Sequence, residues 1–206
     1  MQINQNERVN WSGKFRPDLQ DAHIIPRPEN EEKGIPIWRG VGNTPTSAIR
    51  AGQAGVPLFQ AHLAGAAQTY QNRIKHYKEA GREAGFTDEE LPVGTGGILY
   101  LAPTTKEAFQ TAYPHFNAGF QLTNGQDFPK RGFAQGKSPK SVTLIGSPEL
   151  VTEKMIYQYD LYKQQRFTVE ADFGGLPIEE VKRTLDIYAT EVIPKVKEHI
   201  VKSKGE

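Results

Sequence analysis

The segment from Ile35 to Gly55, IPIWRGVGNTPTSAIRAGQAG, constrains the fold more than any other part of the chain. Its first residues form an apolar run of strand length, and two glycines then allow a sharp turn, so we predict a strand that ends at Val41 or Gly42. Thr44 stands where a helix cap is expected, and Pro45 suits the first position of a helix. The segment therefore predicts a strand that leads directly into a helix.

The start of this predicted helix has the chemistry of an anion site. Unpaired amides and the positive end of the helix dipole point outward there, beside the hydroxyl groups of Thr44, Thr46 and Ser47. A phosphate group needs donors of this kind. The alternative is an ordinary strand-to-helix turn in which the hydroxyls cap the helix and the glycines only reverse the chain, since short glycine-rich motifs also recur by chance.

The composition excludes some classes of protein but does not indicate a binding partner. The chain has 206 residues, 25 basic and 24 acidic side chains, a net charge of +1 and no cysteine. This length suits one domain and is at the low edge for a complete barrel, and the balanced charge favours neither nucleic acid nor an acidic membrane surface. The lack of cysteine excludes disulfides and thiolate metal sites. Without a targeting signal or a long apolar run, the sequence predicts a cytoplasmic protein.

The pattern of strand, turn and helix repeats after the central segment. We predict a single domain, 1–206, in which 1–34 form a polar leader and a short hairpin built from WSGKFRPDL and AHIIPRP. Residues 35–206 are predicted to form about four βα units, which gives an α/β fold with parallel strands. The predicted strands after the central one are 56–63, 94–103 and 166–171.

Two prolines and one aperiodic stretch give further expectations. The helix that starts at Thr105 should end at Pro114, and Pro194 should kink or end the last helix. Between them, residues 115–141 combine glycine, proline and mixed charge without periodicity, which predicts an unusually long loop. Such a loop is either functional or a surface loop whose aromatic residues pack locally.

His62 is a candidate for a pocket residue. It lies near the carboxyl end of the second predicted strand, the end at which α/β folds bind their ligands. The alternative is a buried structural histidine, so we assign His62 no acid or base role. The sequence has no paired carboxylates, no Ser/His/Asp arrangement and no histidine cluster with metal-ligand spacing, and it therefore favours neither hydrolysis nor metal chemistry.

Several segments resemble the luciferase-like flavin-dependent monooxygenases, a family of (β/α)8 barrels. They are WSGKFRPDL, PIWRGVG, SAIRAGQAG, VPLFQAHLAG, IGSPELVTEKM, DFGGLP and TLDIYATEVIPKV. The resemblance runs from about Trp11 onward and matches the family from the middle of its chain to its end. A barrel of this type needs eight strands, so the resemblance implies the carboxyl-terminal half of a TIM-type barrel.

The resemblance also implies a flavin site. It places the flavin phosphate on the glycine turn and the helix start, the flavin ring beside one residue near the end of the second strand and one just after it, and an active-site lid at 115–141. The cofactor is expected to be FMN or, alternatively, the deazaflavin F420. The implied residues are Gly42, Asn43, Thr44 and Ser47 for the phosphate, and His62 and Gly65 for the ring.

Two functions follow as expectations. The first is a flavin-dependent oxidoreductase or monooxygenase that acts on a small organic substrate once a second copy or a complementing amino-terminal half completes the barrel. The second is a non-catalytic flavin-binding protein, or the remnant of a split gene. An exposed apolar strand face favours a homo-oligomer or a partner half in either case.

Overall fold

The computed structural model describes three stretches of the chain, 8–29, 35–42 and 44–205. The chain divides into two compact units, Met1–Trp38 and Arg39–Glu206, which are described separately. Most of the predicted leader, residues 1–7, lies outside the described residues. No helix within the described stretches combines the length and the apolar character needed to cross a membrane.

The first unit contains the predicted hairpin, with its strands shifted along the sequence. Strand β1 (Arg8–Trp11) pairs antiparallel with β2 (Leu19–His23), and the register slips by a bulge near the end of β1. Arg8 ties the two strands together, because its Nη1 atom donates to the backbone oxygen of Asp21 at 2.9 Å and to its carboxylate at 2.8 Å. The WSGKFRPDL segment is therefore mostly the connection between the strands, where a strand was predicted.

The second unit alternates strands and helices as the sequence predicts. Its strands are β3 (Arg39–Val41), β4 (Leu58–His62), β5 (Val93–Leu101), β6 (Leu144–Gly146) and β7 (Arg166–Glu170). Its helices are α1 (Pro45–Gln53), α2 (Ala67–Glu83), α3 (Thr105–Asn124), α4 (Lys130–Gln135), α5 (Pro148–Tyr162), α6 (Ile178–Ile187) and α7 (Ile193–Lys204). A π-helical turn, Tyr188–Val192, joins α6 to α7.

The strands of the second unit form one parallel sheet centred on β5. Strand β3 pairs with β4, and β4 pairs with β5. Strand β5 also pairs with β7 along Gly94–Ile98 and with the short β6 along Leu99–Leu101. The predicted α/β fold of four main parallel strands is thus confirmed, with β6 as an additional short strand.

Side chains alternate between the two faces of this sheet. Leu58, Val93 and Leu99 point toward the helices, where they are fully buried with residues of α1, α2 and α5. On β4 the intervening Phe59 is half-buried and Ala61 is exposed, so this face of the sheet is partly open. A third cluster, rich in phenylalanine, packs α3 and α4 against the later part of β5.

Strand β3, the strand predicted within the Ile35–Gly55 segment, is shorter than predicted. Ile35 and Ile37 are 61% and 43% exposed and belong to no strand. The first ladder bond on this side runs from the amide of Arg39 to the carbonyl oxygen of Pro57 at 2.7 Å. Pro36 has no amide to donate to the sheet, which accounts for the late start.

The prediction for Pro114 is wrong, whereas the α-helix is interrupted just before Pro194, as predicted. Helix α3 continues through Pro114 to Asn124, because Ala112 and Phe116 on either side of the proline are buried in the phenylalanine-rich cluster. Before Pro194 the regular α-helix is broken, because α6 ends at Ile187 and a π-helical turn stands between it and α7, which has Pro194 in its first turn. Packing outweighs the loss of one backbone hydrogen bond in α3.

Candidate functional site

The carboxyl ends of β3, β4, β5 and β7 share one edge of the sheet, because the strands are parallel. In open α/β sheets and in barrels, ligands bind at this edge. The sequence segments singled out above meet here. They are the start of α1 after β3, the turn after β4, and the glycine-rich turn after β7.

The hydroxyl group at the N-cap of α1 does not cap the helix. Thr44 occupies the N-cap position with an extended backbone, but its side chain makes no capping hydrogen bond. Its Oγ1 atom forms a hydrogen bond of 3.3 Å with the Oγ atom of Ser47, in which either hydroxyl can donate, and no acidic residue stands in the first turn. Pro45 at the first helical position has no amide. The two hydroxyls therefore remain available to an anion, as the sequence analysis requires.

Three other helix starts along this edge already have capping or backbone partners. Thr104 caps α3 in a reciprocal capping box with Glu107, and Ser147 caps α5 through the amide of Leu150. The first amide of α2, on Ala67, donates to the carbonyl oxygen of Lys140 at 2.8 Å. Helix α1 is thus the best suited of these four starts to bind an added negative group.

The glycines of the turn leave room for a ligand. Positions that a Cβ would take on Gly40 and Gly42 have nothing within 4 Å, and neither residue has a left-handed backbone. Packing and turn geometry therefore do not require glycine at these positions, and the open space there would admit a ligand close to the backbone. Gly65, after β4, has φ +102° and open space around it. Asn43 lies outside the described residues, so its predicted phosphate contact stays a prediction.

The structure places the His62 side chain on the helix-facing side of β4. Only 2% of the residue is exposed, and its ring lies 4.4 Å from the ring of Tyr70 and 5.6 Å from that of Tyr162, measured between centroids. Neither ring nitrogen makes a hydrogen bond of regular geometry among the described residues. Burial lowers the pKa of His62 to about 3, Gln158 opposes this shift, and nearby Arg73 adds to it. His62 is therefore a neutral, buried histidine, the alternative that the sequence analysis left open.

A cleft of about 620 Å³ lies at the same edge. Its walls come from the ends of β4, β5 and β7, the second half of α3 and the turn after β7. The side chains are mainly apolar, with two carboxylates on one wall. The residues used below are Leu63, Ile98, Phe116, Glu170, Asp172 and Gly174. His62 does not line this cleft, although the next residue, Leu63, does.

The predicted lid segment, 115–141, is largely helical. Its first ten residues complete α3, and Lys130–Gln135 form α4, so the prediction of an aperiodic loop is wrong. The aromatic residues pack on one another, with the Phe116 ring 4.9 Å from that of Phe128 and 5.2 Å from that of Phe133. Phe116 also lines the cleft, so local packing and cleft formation involve the same side chain.

Sequence reasoning missed the part that β7 takes in this cleft. Glu170, at the end of β7, and Asp172, two residues later, both line the cleft. Gly174, in the turn that follows, contacts α3. The alternation of charged and apolar residues in RFTVEAD was the available signal, because residues two apart on a strand share a face.

A parallel sheet with alternating helices belongs to the α/β class, which includes the TIM-type barrels and binds ligands at the carboxyl ends of its strands. Within this class, the model of the family described as luciferase-like monooxygenase matches residues 2–164. The chain belongs to the luciferase-like monooxygenase family. No curated protein sequence matches it.

Three solved structures illustrate the similarity of fold. A monooxygenase from Streptomyces bottropensis is 22% identical with a TM-score of 0.68, over 94% of this chain and 57% of its own. The oxygenating constituent of 3,6-diketocamphane monooxygenase from Pseudomonas putida, in complex with FMN, is 20% identical with a TM-score of 0.61, over 95% and 60%. The coenzyme F420 dependent tetrahydromethanopterin reductase from Methanopyrus kandleri is 17% identical with a TM-score of 0.65, over 94% and 59%. The chain thus spans 57 to 60% of the length of these structures.

Proposed function

We propose that this chain provides the phosphate-binding edge and part of the ring pocket of a flavin- or deazaflavin-dependent oxidoreductase, most simply a monooxygenase. The observation that carries the proposal is the start of α1, where the hydroxyls of Thr44 and Ser47 are uncapped, 3.3 Å apart and on the ligand edge of the sheet. Family membership supports the choice of a flavin over other phosphate-bearing ligands.

The residues present fit such a cofactor. Gly42 leaves open the space that a Cβ would fill beside Thr44, so a phosphate could approach the backbone there. The hydroxyls of Thr44 and Ser47, which bind each other and do not cap the helix, would turn to hold the phosphate by charge-assisted hydrogen bonds, together with the helix dipole. The mainly apolar cleft at Leu63, Ile98 and Phe116 would exclude water from a flat ring. A bound flavin or deazaflavin would supply the redox chemistry itself.

The proposal leaves two cofactors open. One similar structure holds FMN and others depend on coenzyme F420, and a phosphate cradle is compatible with both ligands. The carboxylates of Glu170 and Asp172 in the cleft favour a neutral or basic organic substrate over an anionic one, because like charges repel in a cleft of low polarity. A cytoplasmic location remains part of the proposal.

A second chain is proposed to cover the open face of the sheet. Ala61 on β4 and Thr168 on β7 are exposed on this face, and Leu63 at its end is 63% exposed. Strand β3 is an unprotected edge within the described sheet. The proposed occupant is a second copy of this chain or a complementing amino-terminal half of the family's barrel. A cofactor held on an open face would meet water, so the alternative function is flavin binding without turnover by the chain alone.

The proposed phosphate site can be tested by comparing FMN with riboflavin, which lacks the phosphate. Fluorescence quenching would give the two dissociation constants, and the same titration with coenzyme F420 would decide between the cofactors. We expect FMN to bind at least roughly tenfold more tightly than riboflavin, because hydrogen bonds to a charged group are among the strong ones. In the Thr44→Ala/Ser47→Ala variant this ratio should approach one.

A matched control removes two other exposed hydroxyls. Thr190 and Ser203 donate to backbone carbonyls on the last helices and do not line the cleft. The Thr190→Ala/Ser203→Ala variant should keep the preference for FMN over riboflavin. Equal affinities of the wild-type chain for FMN and riboflavin, or a preference that persists in Thr44→Ala/Ser47→Ala, would contradict the proposed site.

A further inference from the structure

Lys154 is fully buried in the middle of α5, with 0% of its surface exposed. Lysine side chains normally keep their ammonium group in water. The Nζ atom of Lys154 instead donates to the backbone carbonyl oxygens of Gly136 at 2.6 Å, Thr143 at 2.7 Å and Ile145 at 2.9 Å. Burial lowers the pKa of Lys154 to about 7, whereas three carbonyl acceptors favour the protonated form, because only an ammonium has three N–H groups.

These three bonds hold the two ends of one segment. Residues 136–145 leave α4 at Gly136 and return into the sheet at Ile145, and Lys154 binds both ends. An ordinary apolar residue could fill the same space but could not satisfy the carbonyls. The buried ammonium group therefore fixes the shape of the 136–145 segment.

The middle of the 136–145 segment holds the turn after β4. The amide of Val142 donates to the carbonyl oxygen of Gly65 at 3.0 Å, and the amide of Ala67 donates to the carbonyl oxygen of Lys140 at 2.8 Å. Ser141 also forms an antiparallel bridge with Ala66. The turn is thus bound to the segment on both sides of Ala66.

This turn connects the segment to the cleft. It begins at Leu63, which lines the cleft, and passes through Gly65, whose φ of +102° only glycine adopts easily. On its other side, the hydroxyl of Tyr70 donates to the carbonyl oxygen of Ala64 at 2.7 Å. The position of the cleft wall therefore depends on the 136–145 segment and, through it, on Lys154.

We propose that Lys154 is a positioning residue that sets the turn 63–67, and with it one wall of the cleft, without touching the ligand. Its role as a cleft determinant rests on the proposed flavin function, whereas its effect on the turn does not. A merely structural lysine would change global stability alone. A positioning lysine changes the local opening of the turn while the rest of the sheet stays protected.

Native-state hydrogen exchange on the full chain without ligand tests the effect on the turn. In Lys154→Met, which keeps an unbranched side chain of nearly the same length but cannot donate, the amides of Val142 and Ala67 should exchange roughly tenfold faster or more. The amide of Leu58, which donates to Pro92 on another part of the sheet, should keep its wild-type rate. Lys197→Met, which changes an exposed lysine of α7, should leave all three rates unchanged.

Two results would overturn the proposal. One is unchanged exchange at Val142 and Ala67 in Lys154→Met, and the other is an equal acceleration at all three amides. If Lys154→Met does not fold, Lys154→Gln replaces it, since glutamine keeps two N–H donors on a side chain shorter than that of lysine. Lys154→Gln should accelerate exchange at the amides of Val142 and Ala67 only. Wild-type exchange rates at these two amides would contradict the proposal.

A second readout connects Lys154 to the cleft. Titration with FMN should give a dissociation constant roughly tenfold higher in Lys154→Met than in Lys197→Met. If neither protein binds FMN but the exchange rates change as expected, the proposed function fails and the positioning of the turn stands. If the two variants bind FMN equally although exchange is faster in Lys154→Met, then Lys154 positions the turn but does not determine the shape of the cleft.

Discussion

The carbonyl oxygen of His115 lies 1.7 Å from the position that a Cβ would take on Gly174, whose backbone has φ +60°. The Nδ1 atom of His115 also lies 3.2 Å from the carbonyl oxygen of Gly174. The turn after β7 therefore packs directly on α3, and both elements line the cleft. Glycine is required here for two separate reasons, the left-handed backbone and the lack of space.

The first prediction separates these two reasons. Gly174→Ala should lower the free energy of unfolding by about 3 kcal/mol, the sum of backbone strain and overpacking. Gly175→Ala should cost only about 1 kcal/mol, because Gly175 has φ +73° but nothing within 4 Å of its Cβ position. Urea denaturation of the two variants measures the difference. Equal losses would show that α3 moves away from the turn without cost.

The second prediction concerns pH and His62. Its pKa of about 3 in the folded chain lies below the ordinary value of 6.5, so between these values the unfolded chain binds more protons. The contribution of the neutral ring to stability is complete above pH 6.5 and is lost as pH falls toward 3. Between pH 6 and 4 the free energy of unfolding should decrease by up to about 2.7 kcal/mol through this residue.

The measurement compares variants at the two pH values. Urea denaturation of His62→Gln should show a smaller decrease between pH 6 and 4 than the wild-type chain does. His76→Gln, at an exposed position of α2, serves as the matched control and should keep the wild-type decrease. The same decrease in wild type and His62→Gln would mean that the ring of His62 becomes charged without cost, contrary to its burial.

Local signals in the sequence were enough to predict the elements that carry the candidate site. Pro45 and the Ser147-Pro148 pair are local signals for the start of a helix, and α1 and α5 begin where these residues predict. The direction of the strands follows from the alternation of strand and helix. The phosphate site was proposed from these local features together with the family resemblance.

The remaining features depend on contacts that no local pattern contains. Pro114 lies inside α3 because buried side chains on both sides of it hold the helix together. The orientation of His62 follows from the pairing of β4, which turns alternate residues toward the helices. The buried position of Lys154 depends on three carbonyl groups that only the folded segment brings together. Such relationships require the tertiary structure.

The third prediction concerns the open face of the sheet. The wild-type chain of 23.0 kDa should associate in sedimentation velocity experiments, because burial of the open face is favourable. Ala61→Lys/Thr168→Lys places two charges on this face and should give a monomer. Asn72→Lys/Thr190→Lys adds the same charge at exposed helical positions and should associate like the wild type. A wild-type monomer at all concentrations would contradict self-association and leave a complementing half as the proposed occupant.

The last prediction compares two threonines that both occupy N-cap positions. Thr104 accepts a hydrogen bond from the amide of Glu107 at 3.2 Å, and Glu107 binds back to Thr104, whereas Thr44 makes no capping bond. Thr104→Ala should therefore lower the free energy of unfolding by about 1 kcal/mol, the usual cost of a lost cap. Thr44→Ala should cost less than about 0.5 kcal/mol, as expected for an exposed side chain without such a bond.

The effects of these two substitutions on FMN binding should be the reverse. Thr44→Ala should weaken FMN binding relative to riboflavin, and Thr104→Ala should not. Urea denaturation and the two flavin titrations on both variants measure all four effects. A large loss of stability in Thr44→Ala would assign its hydroxyl to the helix and remove it from the proposed phosphate site.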